Sequence, residues 1–245
     1  VKADPAVQRR LLDLAEVDAE LSRAQHRRRT MPELAEITEA EKAVQTRRDA
    51  QVAIQTQLDD LDREVARQEK EIDAVRAREE RDRALLAGGT VGAKQLTDLE
   101  HELATLERRQ GVLEDDLLEL MERREAVEMD GKHAGVELAR AEEKLADGVR
   151  RRDENLTDIG TIEARRAEDR TKVLSGMPAD LLAVYERRRT QKGIGAALLR
   201  ARRCGACRIE LDSREISRIR EAPADDVIEC EECGAILVRT PESGL

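Results

Sequence analysis

Apolar residues recur along most of this chain at alternating steps of four and three. One series runs Ile54, Leu58, Leu61, Val65, Gln68, Ile72 and Val75. A second runs Leu96, Leu99, Leu103, Leu106, Gln110, Leu113, Leu117, Leu120, Arg124 and Val127, then Gly131, Ala134, Leu138, Ala141 and Leu145. A repeat of about 3.5 residues keeps one stripe on one helix face and imposes a left-handed supercoil. The positions between are mostly Arg, Glu, Asp and Lys, as a solvated face requires. Gly88-Gly89-Thr90-Val91-Gly92 separates the two series, and glycines so dense stop a helix. Long amphipathic helices joined by a short loop pack antiparallel. The pattern predicts a helical hairpin whose stripes face each other, with its tip near 88–93. Its first helix is expected from about Glu33 to Ala87, roughly 80 Å long at 1.5 Å per residue.

The flanking segments are less regular. The series Val7, Leu11, Leu14, Asp18, Leu21 precedes Pro32, which predicts a kink or a restarted helix there. Counted back from the tip, Pro32 lies opposite the region of Gly148, so matching irregularities are expected on both strands. Ser175-Gly176-Met177-Pro178 ends the second long helix, with Gly176 as its cap and Pro178 opening the next. A short helix is expected from about Ala179 to Arg189. Lys192-Gly193-Ile194-Gly195 reads as a linker, and Ala196 to Arg203 as a strand. The expected organisation is a coiled-coil hairpin over 1–176, a short helix and linker over 177–192, and a small domain over 193–245 ending in an acidic tail.

Composition supports this. Charged residues make up 40% of the 245, Phe and Trp are absent, and Tyr185 is the single aromatic. A compact globule leans on aromatics for buried area. A chain rich in Ala, Glu, Leu and Arg suits long helices instead. Disorder is the competing reading for so charged a chain, and the periodicity argues against it. No run approaches the ~18–20 apolar residues that span a bilayer, and Val1 to Arg10 holds no apolar run for a signal peptide. A cytoplasmic protein without membrane contact is expected.

The cysteines change the picture. Cys204-Gly-Ala-Cys207 and Cys230-Glu-Glu-Cys233-Gly234 are two C-x-x-C knuckles. Such knuckles supply the tetrahedral four-thiolate shell that Zn2+ prefers, and a filled shell leaves no position for reactive water. One structural Zn2+ is therefore expected on Cys204, Cys207, Cys230 and Cys233. Disulfides, a thioredoxin-like redox pair and iron are the alternatives; a redox C-x-x-C would want a βαβ context, which is missing. Asp212 followed by Glu215 is a capping-box pattern. Ile216 and Ile219 then form a small apolar face on a helical insert. Val227-Ile228 and Ile236-Leu237-Val238 are strand candidates. The fold class expected is mainly α: a long antiparallel coiled-coil helical hairpin followed by a small C-terminal four-cysteine zinc ribbon with short strands and a helical insert.

Charge is uneven. The chain carries −10 overall, but residues 186–220 carry +7 against −6 for 221–245 and −11 for 1–185. The basic candidates for nucleic-acid contact are Arg187, Arg188, Arg189, Lys192, Arg200, Arg202, Arg203, Arg208, Arg214, Arg218 and Arg220. Arginine forks suit phosphate. Solubilising charge, or docking against an acidic segment, is the plainer reading, and no aromatic lies in the module to stack a base. His101-Glu102 lacks the second histidine of a zinc-protease motif, since position 105 is Thr. His26 and His133 fall in helical segments without a catalytic partner. Gly88 to Lys94 lacks phosphate-loop spacing. No catalytic constellation is found.

These residues resemble a known family, the bacterial proteins with an N-terminal coiled-coil hairpin and a C-terminal C4-type zinc ribbon. Gln95-Leu96, Leu99-Glu100-His101-Glu102-Leu103, Leu182, Tyr185-Glu186-Arg187 and the four cysteines carry the resemblance. The family often follows its last Cys-Gly with Arg-Ile-Leu-Tyr; this chain has Ala235-Ile236-Leu237-Val238. The resemblance implies a non-enzymatic role; some members are linked to an alternative sigma factor, to flagellar or type III secretion components, and to RNA. The expected function is an adaptor, with a coiled coil for a protein partner and a basic ribbon for RNA, DNA or the transcription machinery. A purely protein-binding scaffold or chaperone is the alternative. A hairpin that satisfies its own seam is expected to be monomeric by default, with a dimer through the less regular base or through swapped hairpins as the alternative.

Overall fold

In the computed structural model, which describes residues 1–245, the first helix begins where the sequence offers a cap. Asp4 accepts a hydrogen bond from the Ala6 N–H (2.7 Å) and Pro5 takes the first helical position, where its missing N–H costs nothing. Helix α1 spans Pro5–Thr30. Met31 is extended (φ −62, ψ 133), as a residue before proline prefers, and Pro32 opens α2 (Pro32–Ala87). After the turn at 88–92 comes α3 (Ala93–Leu174), then α4 (Ala179–Lys192). The ribbon follows: β1 (Ala196–Arg200), β2 (Arg203–Cys204), α5 (Ser213–Glu221), β3 (Ile228–Glu229), β4 (Ile236–Val238) and a 3-10 turn (Pro241–Ser243). The chain forms two compact units, 35–149 and 1–34 together with 150–245.

The unit 35–149 is the antiparallel coiled coil. Ile72, Val75, Leu106 and Leu113 are buried along its seam, with Leu117 against them. Gln68, a polar seam position, donates to the Leu113 carbonyl (3.1 Å). Ion pairs between the helices flank the seam: Arg48–Glu142 and Arg76–Glu114 (both 2.7 Å), Arg83–Glu107 (2.9 Å) and Arg124–Asp62 (2.5 Å). The stripe of α2 continues past Val75 through Glu79 and Asp82. Glu79 is 2% exposed; Oε1 of Glu79 and Oδ2 of Asp82 are buried without hydrogen-bond partners. The expected irregularity at Gly148 is absent, since α3 runs through it unbroken. Gly148 instead faces Ile37, and a Cβ there would lie 3.3 Å from Ile37 Cγ1. The glycine makes room for a neighbour rather than bending the helix.

In the other unit α1 packs antiparallel along residues 150–174 of α3. Arg166–Glu20 and Arg28–Glu163 (both 2.6 Å) line this contact, and Ala24, Met31 and Ile159 are buried in it. Arg10 donates to the Val173 (2.5 Å) and Ser175 (2.6 Å) carbonyls, which α3 leaves unpaired at its end. Helix α4 outruns the expected Arg189 by a turn, and left-handed Gly193 caps it by donating to the Arg189 carbonyl (2.8 Å).

The sheet has strand order β2-β1-β4-β3, with β1 and β4 parallel and the other pairs antiparallel. The single strand expected over Ala196 to Arg203 is broken at Ala201-Arg202, which turn the chain back so that Leu199 faces Cys204. The third strand lies one residue beyond the expected Val227-Ile228 because the Val227 N–H donates to the Val1 carbonyl (3.1 Å). One core holds Leu11 and Leu14 of α1, Leu181 and Tyr185 of α4, and Ala196, Ile236 and Val238 of the sheet. The segment expected as an acidic tail forms the 3-10 turn. Its Glu242 and Ser243 carbonyls accept from the N–H groups of Ala201 (2.8 Å) and Arg202 (2.9 Å).

Candidate metal centre

Cys204 ends β2, Cys207 closes the following turn, Cys230 follows β3 and Cys233 precedes β4. The two knuckles share one backbone pattern. The Cys204 N–H donates to Ile209 O (3.1 Å) and Arg208 N–H to Cys204 O (2.8 Å); the Cys230 N–H donates to Ala235 O and Gly234 N–H to Cys230 O (both 2.9 Å). Gly205 is required by close approach. A Cβ there would lie 2.7 Å from the Leu198 carbonyl oxygen, which accepts the Gly205 N–H.

All four Sγ atoms lie within 4.8 Å of one another. Cys204–Cys233 is 3.7 Å and Cys207–Cys230 is 4.0 Å. Zn–S bonds of about 2.3 Å in a tetrahedron put sulfurs about 3.8 Å apart, so the thiols fit one Zn2+. Burial pushes the Cys204 thiol up to about 12, against hydrogen bonds from the Cys207 and Ala206 N–H groups. Burial raises Cys230 in the same way. For Cys207 desolvation is outweighed by the Ile209 N–H and the neighbouring thiols, and its pKa is lowered. Binding Zn2+ therefore displaces protons. With sulfur at all four corners the ion would hold the knuckles together and leave no open position.

Beneath the cysteines lie Leu199, Leu211, Ile216, Ile219 and Leu237. Helix α5 starts on Asp212, whose carboxylate accepts the Glu215 N–H (2.7 Å). The reciprocal arm of the expected capping box is missing; Glu215 Oε1 is buried without a hydrogen bond and faces Arg218 at 3.7 Å. Desolvation raises the Glu215 pKa.

The basic residues divide into two groups. Arg187 and Arg188 meet Glu229, Arg189 meets Glu186 and Asp18, Arg200 meets Glu242, Arg203 meets Glu210, and Arg218 meets Glu215 and Glu231. Lys192, Arg202, Arg208, Arg214 and Arg220 are exposed, and no carboxylate pairs with them. His26, His101 and His133 are exposed on helices.

Two features escaped sequence reasoning. Arg239 donates to five carbonyls, those of Ile219, Ala222, Pro223, Ala224 and Asp226, and so ties down the end of α5. Tyr185 is fully buried and donates to Asp18 (2.8 Å); Asp18 also accepts from Arg170 (2.7 Å). A Cβ on Gly195 would lie 2.4 Å from the Tyr185 ring. The available signal was an aspartate on an apolar stripe together with the single aromatic of the chain.

The CT398-like coiled coil hairpin domain matches residues 14–193, and the C4-type zinc ribbon domain matches 203–237. The Mycobacterium tuberculosis protein Rv2229c is 42% identical over 239 residues, covering 98% of each chain. A solved structure from Mycobacterium smegmatis is 41% identical with a TM-score of 0.86, covering 98% of this chain and 100% of that one. CT398 from Chlamydia trachomatis, at 19% identity, shares the fold with a TM-score of 0.67, over 95% of this chain and 97% of its own. A coiled-coil hairpin followed by a four-cysteine ribbon is the arrangement the two family models describe, and this chain belongs to the CT398-like family of coiled-coil hairpin proteins with a C4-type zinc ribbon.

Proposed function

We propose that the protein is a non-enzymatic, zinc-stabilised adaptor whose hairpin engages a protein partner and whose ribbon contacts nucleic acid. The nucleic-acid half rests on Arg202 and Arg208. Both are exposed and unpaired, and both hold left-handed backbone, with φ 63 and 64. That conformation costs an L residue about 1–2 kcal/mol, which glycine would relieve. Arginine in such a position favours a role for its side chain over one in the fold. Lys192, Arg214 and Arg220 add unpaired charge to the same domain. The chain acts in the cytoplasm as a monomer in this reading, where its thiols stay reduced.

The test is binding of the zinc-loaded protein to single- and double-stranded RNA and DNA at low and physiological salt. Binding should weaken steeply with salt. It should disappear in the triple variant Arg202→Glu, Arg208→Glu, Arg214→Glu, with zinc content unchanged. No binding at low salt overturns the nucleic-acid half. A second reading, a scaffold that contacts only proteins, is favoured by the acidic partners that already occupy six of the eleven candidate cations.

A further inference from the structure

A cleft of about 350 Å³ lies between the first turns of α1 and the far end of α5. Pro5, Gln8, Arg9, Arg220, Arg239 and Thr240 line it, and every charged residue in its wall is an arginine. Acidic residues outnumber basic ones in this chain, 54 to 44, and many exposed arginines, Arg48, Arg76 and Arg83 among them, have found a carboxylate. Arg9 and Arg220 have not, and neither makes a side-chain hydrogen bond. Arg239 is held by carbonyl oxygens alone, so its full charge also stands without a counter-ion. Gln8 is fixed by donating to Ala3 O (2.8 Å) and Ala224 O (3.2 Å), which sets the wall in place.

We propose that this three-arginine cleft binds a phosphate group, carried either by a free phosphate compound or by a nucleic-acid backbone. Two unpaired guanidinium groups with the fixed charge of Arg239 beside them suit a phosphate anion, and Arg9 and Arg220 have donors to spare for bidentate contact. Arg239 supplies field rather than hydrogen bonds. Arg220 also contributes charge to the proposed nucleic-acid reading, whereas Arg9 and Arg239 lie outside it, and none of the three is changed in the variant that tests that reading.

The experiment titrates the full zinc-loaded chain with inorganic pyrophosphate and, separately, with a short single-stranded oligonucleotide. Arg9→Gln and Arg220→Gln are compared with the parent at matched ionic strength. Neither side chain holds the fold, so zinc content and helicity should be unchanged. Each substitution should weaken pyrophosphate binding about tenfold or more. An equal loss for the oligonucleotide identifies a backbone phosphate as the natural source. Loss for pyrophosphate alone identifies a free phosphate compound. Absence of pyrophosphate binding, or equal affinity in parent and variants, overturns the cleft. If the oligonucleotide is then lost only in the Arg202, Arg208 and Arg214 variant, the proposed function survives without it.

Discussion

At the scale of single residues, buried polar groups matter most. Asp18 occupies an apolar-stripe position, 7% exposed, where Arg170 and Arg189 balance its charge and the Tyr185 hydroxyl donates to it. Burial and the Asp18 contact raise the Tyr185 pKa well above its ordinary value, so the hydroxyl stays protonated as a donor. Tyr185→Phe keeps the ring but removes the donor, and should cost about 1–3 kcal/mol of stability by urea unfolding. A neutral result would show that Arg170 and Arg189 satisfy Asp18 without the hydroxyl. At Arg202 the expected sign reverses. Arg202→Gly relieves left-handed strain and should raise stability by up to about 1 kcal/mol, while weakening nucleic-acid binding. A variant both less stable and equally competent in binding would contradict the role given to Arg202.

At the scale of elements, the hairpin holds two carboxylates, Glu79 and Asp82, where its stripe calls for apolar residues. Arg83 reaches Glu79 at 3.2 Å from an exposed position, which leaves the second oxygen of Glu79 buried and unpaired. A desolvated oxygen of this kind weakens a coiled coil. Glu79→Leu should stabilise the hairpin by about 1–3 kcal/mol, read as a raised thermal midpoint in a differential scan of the full chain. An unchanged or lowered midpoint would mean that the polar layer is satisfied by water. The ribbon shows the opposite economy, since one side chain, Arg239, satisfies five carbonyls at once.

At the scale of the whole molecule, zinc should control one unit and leave the other. The second core of the ribbon includes Cys204 and Cys230 themselves, so losing the metal removes its centre. Chelation, or Cys204→Ser, should speed hydrogen exchange across β1 to β4 while residues 35–149 stay protected. Unchanged exchange in the strands would remove zinc from the folding account. The pH dependence follows from the thiols. Cys204 and Cys230 are protonated near neutrality in the metal-free protein and must release those protons to bind. Zinc affinity should therefore fall with falling pH, by at least about a hundredfold per unit because these two thiols alone release two protons, read by competition with a chelator.

The sequence by itself determined the hairpin, its tip and the metal ligands. Each of these depends on spacing along one chain: 3.5 residues for a seam, three glycines for a tip, two residues between paired thiols. The Asp212 cap of α5 and the left-handed Gly176 after α3 were legible for the same reason. Only the tertiary structure decided what residues far apart do to one another. Asp18 and Tyr185 meet from positions 167 residues apart. The first three residues pair with 225–227, Arg239 finds its five carbonyls, and Arg9 and Arg220 come to line one cleft. Local spacing carries no trace of such contacts, because they follow from how α1, α4 and the ribbon close around a shared core.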